Sequence, residues 1–472
     1  MTNRKIILFE LNEVPYRIID QYCQDNPYSS LSRILSSSRQ YETWAEDTGT
    51  LAPTKTWPTL HRGVTKEKHG ISSFGQSLDE IDKEFPPIWQ LTTDNGVKTG
   101  VFGSLLSYQM PKKLENYAFF VPEVFAKENT AHPHYITPFQ EFNLTMSRAS
   151  ARNVSQKIDW DSIKRLIPKL PQLGLTVPTF LDIGKQLANE KLNPKVKTRR
   201  RTFQTVLGFD VFLKQLAIFQ PDFATFFTNN VAATMHRYWA AAFPGDYDDF
   251  QLRDEWVASF RHEINFAMTK ADALLSKLIT FVNRYPEYLL LVASSMGQAA
   301  FQAKHTGAFL TIKNLPKFMN KLGLEPDEFE QRPAMAPHFS AVVAPHKLEE
   351  FRQRASKLKI NGHNVIFKEK EDTFFHIDFN YQDYQGESYM ELDGMIVPFE
   401  DMGVVNRIHE DGVYLTADHI PQGILLVYHP QNSPQSHQRI QISTLDITPS
   451  ILNNFSIPIP AYMNKPFDLI CT

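Results

Sequence analysis

The chain has 472 residues, 42% of them hydrophobic, enough for one large globular core with insertions or for roughly two to three ordinary domains. Its formal charge of -3, from 49 basic and 52 acidic side chains, supplies no overall field that would recruit nucleic acid or an acidic membrane surface. Cys23 and Cys471, its 2 cysteines, are too few and too far apart for a disulfide framework or a thiolate metal cage, and they fit a reducing, cytoplasmic setting.

In chain order, Arg4 and Lys5 precede an apolar run from Ile6 to Phe9 that is too short for a signal-peptide core. Nothing further along approaches the roughly 18 to 20 apolar residues that cross a bilayer, so no transmembrane segment is expected. Short apolar runs that end abruptly in small or polar residues read as buried strands: Ile6–Leu11, Thr99–Gly103, Phe223–Thr228, Tyr288–Ala293 and Gly423–Tyr428. Between Phe223–Thr228 and Tyr288–Ala293, 254–284 places Trp256, Phe260, Ile264, Ala267, Ala271, Leu274, Leu278 and Phe281 at three- and four-residue spacing, predicting a helix that packs on a sheet. Strands alternating with helices in this way predict an α/β fold, a doubly wound and mostly parallel sheet flanked by helices.

Two stretches interrupt the rhythm. Residues from about 125 to 205 lack a clear strand and read as a helical insertion. Residues 336–400 read as strand (339–343), helix (346–359), strand (364–368) and strand (373–378), a small α+β cap. The expected organisation is a core over 1–335 carrying the helical insertion, the cap over 336–400, and a return to the core over 401–472.

Ligands of open parallel sheets bind beyond the carboxyl ends of the strands, where loops and helix N-termini converge. The polar residues at those places are Asn12 and Glu13, the stretch from Asn229 to His236, the stretch from Ser294 to Gln298, and Asp418 with His419. The segment LAPTKTWPTLHRGVTKEKHGI, Leu51 to Ile71, resembles the nucleophile segment of the type I phosphodiesterase and nucleotide-pyrophosphatase branch of the alkaline-phosphatase superfamily. ADHIPQGILLVYHP, Ala417 to Pro430, and ISTLDITPSILNNFSIPIPAYMNKPF, Ile442 to Phe467, fall in that family's order. The resemblance implies an alkaline-phosphatase-like fold and a phosphoryl-transfer site with Thr56 at the nucleophile position. It leaves the stretches 125–205 and 336–400 uncovered.

The family holds two divalent ions, usually zinc, between three Asp and three His, and the ions activate the nucleophile and neutralise phosphoryl oxygens. On this chain the first-strand Asp falls on Asn12. The Asp of the Asp-x-x-x-His pair falls on Ala232 with His236 kept, the Asp-His-Gly triplet becomes Ser295, Met296 and Gly297, and the last His is His419. The family's Asn three residues after the nucleophile is Thr59. Close unit charges interact by about 4 kcal/mol even at an effective dielectric near 20, so two dications without ligand carboxylates repel each other strongly. The expectation is no dinuclear centre, and at most one weakly bound divalent metal such as zinc, with His236 and His419 as its candidate ligands.

Thr56, His236 and His419 are then the candidate catalytic residues, an imidazole within about 3 Å serving as base for the hydroxyl. Asn12, Glu13, Lys55, Thr59, His61, Arg62 and Ser295 are candidate substrate contacts, the cationic ones as donors to phosphate oxygens. Plainer readings stand beside these: Thr56 as a helix cap, His236 on an aromatic helix face, His419 anchoring a turn, and Asn12 ending a strand. The basic run Lys195, Lys197, Arg199, Arg200, Arg201 meets a polyanionic substrate or a lipid head group, or more simply forms a solvated helix start.

The expected function is action on a small-molecule or lipid-linked phosphate ester (a phosphodiester or a nucleotide-activated substrate), by hydrolysis or group transfer, without the usual metal pair. The alternatives are a non-catalytic binding or scaffold protein that keeps the cleft, and a conventional zinc phosphodiesterase whose ligands lie elsewhere.

Overall fold

The computed structural model describes residues 4–150, 160–248, 253–304, 308–334, 338–370, 373–379, 389–408, 415–432 and 438–469. Residues 151–159 of the expected insertion, parts of the expected cap and Cys471 lie outside them.

The core is an eight-stranded sheet. Across it the strands run Ile440–Ser443, Ser38–Trp44, Gln422–Tyr428, Tyr288–Ala293, Lys5–Leu11, Phe223–Thr228, Thr99–Phe102 and Tyr117–Val121. Neighbours pair in parallel except around Gln422–Tyr428, which runs antiparallel to both Ser38–Trp44 and Tyr288–Ala293. The expectation of a parallel strand at 423–428 is corrected accordingly.

Each central strand is buried on both faces because its alternate side chains feed different apolar layers. Ile7, Phe9 and Leu11 join one layer with Tyr238 and Trp239 of the Asn230–Ala242 helix and the apolar face of Glu263–Arg284. Ile6 and Leu8 join the other, with Trp57 and Leu60 of the Pro53–Arg62 helix and Ile447, Ile451 and Leu452 of Ile447–Asn454. Helices thus cover both faces of a mostly parallel sheet.

The stripe expected as one helix over 254–284 is two, Asp254–Phe260 and Glu263–Arg284. Phe260 and Ile264 keep the four-residue spacing across the break, so the apolar pattern carries no mark of it. The basic run near 195–201 lies at the start of the Arg200–Phe219 helix, where Lys195 pairs with Glu255, Arg199 with Glu263 and Arg200 with Glu190.

A third apolar cluster runs from Leu310 to Val404 and holds two four-stranded antiparallel sheets. One sheet orders its strands Ile366–Lys370, Phe374–Asp378, Phe339–Val343 and Phe329–Arg332. The helix expected at 346–359 is shorter, Leu348–Ala355, and Lys359 already belongs to a strand. Among the described residues no helix is long and apolar enough to cross a membrane.

One polar pair locks the first strand to the helix above it. His61 Nε2 lies 2.7 Å from Glu10 Oε1, with the side chains 1% and 0% exposed, and the imidazole stacks on Trp57. Removing one member leaves the other buried and unpaired, so His61→Ala is expected to cost about 3 kcal/mol in denaturant unfolding. A loss below about 1 kcal/mol, the range of an ordinary exposed ion pair, would show the pair to be dispensable.

Candidate active site

The first strand ends at Leu11, in register with Thr228 at the end of the neighbouring strand, and the backbone turns at once. Glu13 takes a left-handed conformation, φ 59°, which costs a non-glycine residue of order 1–3 kcal/mol and persists where surrounding contacts enforce it. Those contacts are visible. Asn12 Nδ2 donates to Glu13 Oε1 at 2.9 Å, and Gln298 Nε2 donates to Glu13 Oε2. The turn brings a buried carboxylate under two imidazoles.

His236, on the Asn230–Ala242 helix, places Nε2 2.9 Å from Glu13 Oε2. His419, on the Leu415–Ile420 strand, places Nε2 3.4 Å from the same oxygen. That strand pairs antiparallel with Gly297–Lys304 and sets His419 opposite Gln298, so one register delivers two of the groups around Glu13. The rings stand edge to face, centroids 5.0 Å apart.

The second nitrogen of each ring fixes its tautomer. His236 Nδ1 faces the Ala417 carbonyl at 2.8 Å, and His419 Nδ1 faces the Leu51 carbonyl at 3.0 Å. A carbonyl only accepts, so both Nδ1 atoms carry hydrogen and both Nε2 atoms point at the carboxylate. A bare Nε2 lone pair facing an anion is repulsive, and a proton or a cation must lie between them. Burial by itself raises the Glu13 pKa, yet His419 and His236 more than offset it and hold the carboxyl well below the usual range. Burial lowers the pKa of His419, and Glu13 with Asp418 overcomes that to raise it.

Thr56 lies within the Pro53–Arg62 helix rather than at its cap, the N-cap position being Ala52. It is fully buried, its Oγ1 2.9 Å from Ser295 Oγ and 3.3 Å from the Ala52 carbonyl. The imidazoles turn to Glu13 and, among the described residues, make no hydrogen bond with Thr56, a correction to the expected base–hydroxyl contact. Asn12 joins the two halves of the site: Trp57 Nε1 donates to its Oδ1 at 2.7 Å, and its Nδ2 also donates to Asn229 Oδ1 at 2.7 Å. Asn12, Glu13, Thr56, His236, Ser295 and His419 therefore converge.

Other expected contacts do not. Thr59 donates to Asp47 Oδ1 at 2.6 Å and meets His69 Nε2 at 3.1 Å, inside the fold. His61 is taken by Glu10, and Arg62 by Asp82 at 2.7 Å and the Phe85 carbonyl. The cause is coverage. Thr448 Oγ1 donates to the Leu60 carbonyl and Met463 packs on Gly63, so the C-terminal segment roofs this helix. Lys55 stays half-buried near the surface and donates to the Thr50 carbonyl. Gln298 is the contact that residue type alone underrates, and its place just after the Ser295-Met296-Gly297 stretch is the signal that finds it.

The two-ion set of the resembling family does not fit these residues. Asn12 is spent on Trp57, Glu13 and Asn229, Ala232 offers no ligand, Ser295 holds Thr56, and Met296 is fully buried. A single divalent ion does fit. The ligand atoms of Glu13, His236 and His419 lie within 4.8 Å of one another, and His419 Nε2 is a buried atom with no hydrogen-bond partner. Backbone carbonyls behind both rings are the usual way to orient metal-binding imidazoles. Glu13 thus restores one carboxylate from a position that motif matching does not mark.

No protein-family profile and no curated protein matches the chain. Among solved structures, it is similar to murine ectonucleotide pyrophosphatase/phosphodiesterase 5, at 12% identity and TM-score 0.42, over 98% of this chain and 97% of that one. An inactive form of that murine protein in complex with AMP gives 12% identity and TM-score 0.41 over the same shares. A TAB5 alkaline phosphatase mutant with Mg bound gives 9% and 0.37, over 97% of this chain and 100% of that one.

Glu13→Ala strips the acceptor from the amides of Asn12 and Gln298 and from two imidazoles, and each buried group left unsatisfied costs about 1–3 kcal/mol. Chemical unfolding of the variant is expected to show a loss of at least about 2 kcal/mol. An unchanged midpoint would mean that the cluster does not form.

Proposed function

We propose that the protein acts on a phosphate-containing substrate, a phosphodiester or a nucleotide-activated or lipid-linked phosphate, by hydrolysis or group transfer without a dinuclear metal centre. The observation that carries this reading is the Glu13–His236–His419 cluster beside the Thr56–Ser295 hydroxyl pair, at the carboxyl ends of the central strands. The phosphodiesterase-like segment from Leu51 to Ile71 supports the substrate class. The two-cysteine composition supports a cytoplasmic setting.

His236 and His419 are the proton carriers in this proposal. With no ion bound, an imidazolium Nε2 gives its proton to the departing oxygen as that oxygen's bond to phosphorus breaks, and the ring regains a proton from the attacking oxygen as the new bond forms. Glu13 stabilises the imidazolium, as a buried carboxylate does for a catalytic histidine. A single divalent ion held instead by Glu13, His236 and His419 would occupy both Nε2 atoms, and would then supply Lewis-acid stabilisation of the phosphoryl oxygens in place of the imidazole proton transfer. Asn12 and Gln298 hold the carboxylate in place throughout. For attack by Thr56, its hydroxyl must leave Ser295.

That last requirement favours a second reading. A fully buried Thr56 with its hydroxyl engaged suits a protein that binds a phosphate ester in the cleft without turning it over.

A panel of phosphodiesters and sugar nucleotides separates the two. Under the first reading some member is turned over, and His419→Ala lowers kcat by about 10²–10⁴-fold. Thermal stabilisation by the same ligands with no turnover selects the binding reading, and absence of both effects removes phosphate esters as the ligand class.

A further inference from the structure

The Val177–Leu192 helix is amphipathic in the inverse sense, polar side in and apolar side out. Residues seven and four apart share one face of a helix, and here that face carries Thr179, Gln186 and Glu190, all buried. The opposite face carries Val177, Leu181, Gly184, Ala188 and Leu192, with Phe180 and Leu187 beside them, all exposed. Val177, Leu181 and Leu192 are 70%, 61% and 86% exposed, and a Cβ on Gly184 would meet nothing within 4 Å, so nothing among the described residues covers the stripe.

The polar face fixes the helix in that orientation. Thr179 Oγ1 donates to Asp210 Oδ2 at 2.5 Å, and Lys277 meets the other Asp210 oxygen at 2.7 Å. Asp182 pairs with Lys270. Gln186 Nε2 donates to the Val196 carbonyl at 2.8 Å, and Glu190 pairs with Arg200 at 2.6 Å. Rolling the helix over to bury its leucines would break every one of these contacts, and parting a buried ion pair is strongly destabilising. The outward stripe is therefore a fixed feature of the surface.

An unbroken apolar stripe about 24 Å long marks an interaction surface rather than scattered exposure. Its charges indicate what it meets. Lys185 and Lys191 each stand one turn beyond a leucine of the stripe, Leu181 and Leu187, and both are exposed and make no ion pair among the described residues. The two carboxylates of the helix, Asp182 and Glu190, are already held by Lys270 and Arg200. A second copy docked by two-fold symmetry through the same stripe would bring lysines toward lysines with no carboxylate to answer them. Protein interfaces are in general poor in lysine. Leucine and phenylalanine flanked by lysine suit a helix lying in the plane of a membrane, its apolar side sunk to the headgroup boundary and its lysine stems reaching along it to lipid phosphates.

We propose that the Val177–Leu192 helix docks the protein on an anionic bilayer surface. The attraction is local, from one stripe and two lysines, and does not require a positive net charge. The helix is also tied to the candidate site: Tyr238, two residues past His236, donates to Thr198 Oγ1 at 3.0 Å, in the turn that follows the helix. The inference does not depend on what the cleft takes.

Co-sedimentation of the full chain with vesicles of phosphatidylcholine and phosphatidylglycerol in equal parts should show binding at least about tenfold tighter than with phosphatidylcholine alone. Leu181→Asp with Leu187→Asp, and separately Lys185→Glu with Lys191→Glu, should each weaken it about tenfold or more. Lys83→Glu with Lys357→Glu, the same change of net charge made at the exposed pairs with Glu80 and Asp393, should keep it. Gly184→Leu fills open space on the stripe and should strengthen binding, which tests the proposal independently of how the double leucine variant folds. No binding to either vesicle, equal binding to both, or binding unchanged in the leucine and lysine variants overturns the proposal. A dimer in sedimentation velocity that the Leu181→Asp, Leu187→Asp variant dissociates, without vesicle binding, assigns the stripe to a second copy and overturns it as well.

Discussion

A buried carboxylate between two imidazoles is the constraint on which the site depends. Glu13 leaves the first strand in a left-handed conformation and receives Nε2 of His236 and of His419, whose Nδ1 atoms are fixed by backbone carbonyls. An isolated buried carboxylate is too costly to keep ionised, so the two rings and the two amides are conditions of its presence. The strand ends are therefore held together by an acid–imidazole cluster.

The fold makes this cluster possible. Three central parallel strands end together, so the loop carrying Asn12 and Glu13 meets the start of the His236 helix and the stretch after Ala293. The antiparallel pairing of Leu415–Ile420 with Gly297–Lys304 then brings His419 and Gln298 in from the side. Beneath, the Pro53–Arg62 helix is sealed between sheet and C-terminal segment. Thr56 is consequently precise in position and closed to solvent, which is the tension between the catalytic and the binding readings.

Much of this was legible in the residues. Strands buried on both faces need continuous apolar runs, so 223–228 and 288–293 stand out with their observed bounds. The meeting of Asn12, Thr56, Ser295, His236 and His419 follows from the rule that strand ends converge. Other features have no such mark. The break at 261–262 carries neither Gly nor Pro and leaves the apolar stripe in phase. Thr59, His61 and Arg62 look like phosphate donors beside Thr56, but which faces of a short helix are covered depends on a segment nearly 400 residues away. The role of Glu13 hinges on a backbone conformation that a glutamate seldom adopts.

The most direct test is the metal content of the purified full chain, measured by native mass spectrometry after zinc loading and desalting. The expected result is no more than a single zinc per chain, lost altogether in Glu13→Ala. Two zinc ions per chain, or a single ion retained in the Glu13 variant, would contradict the cluster described here.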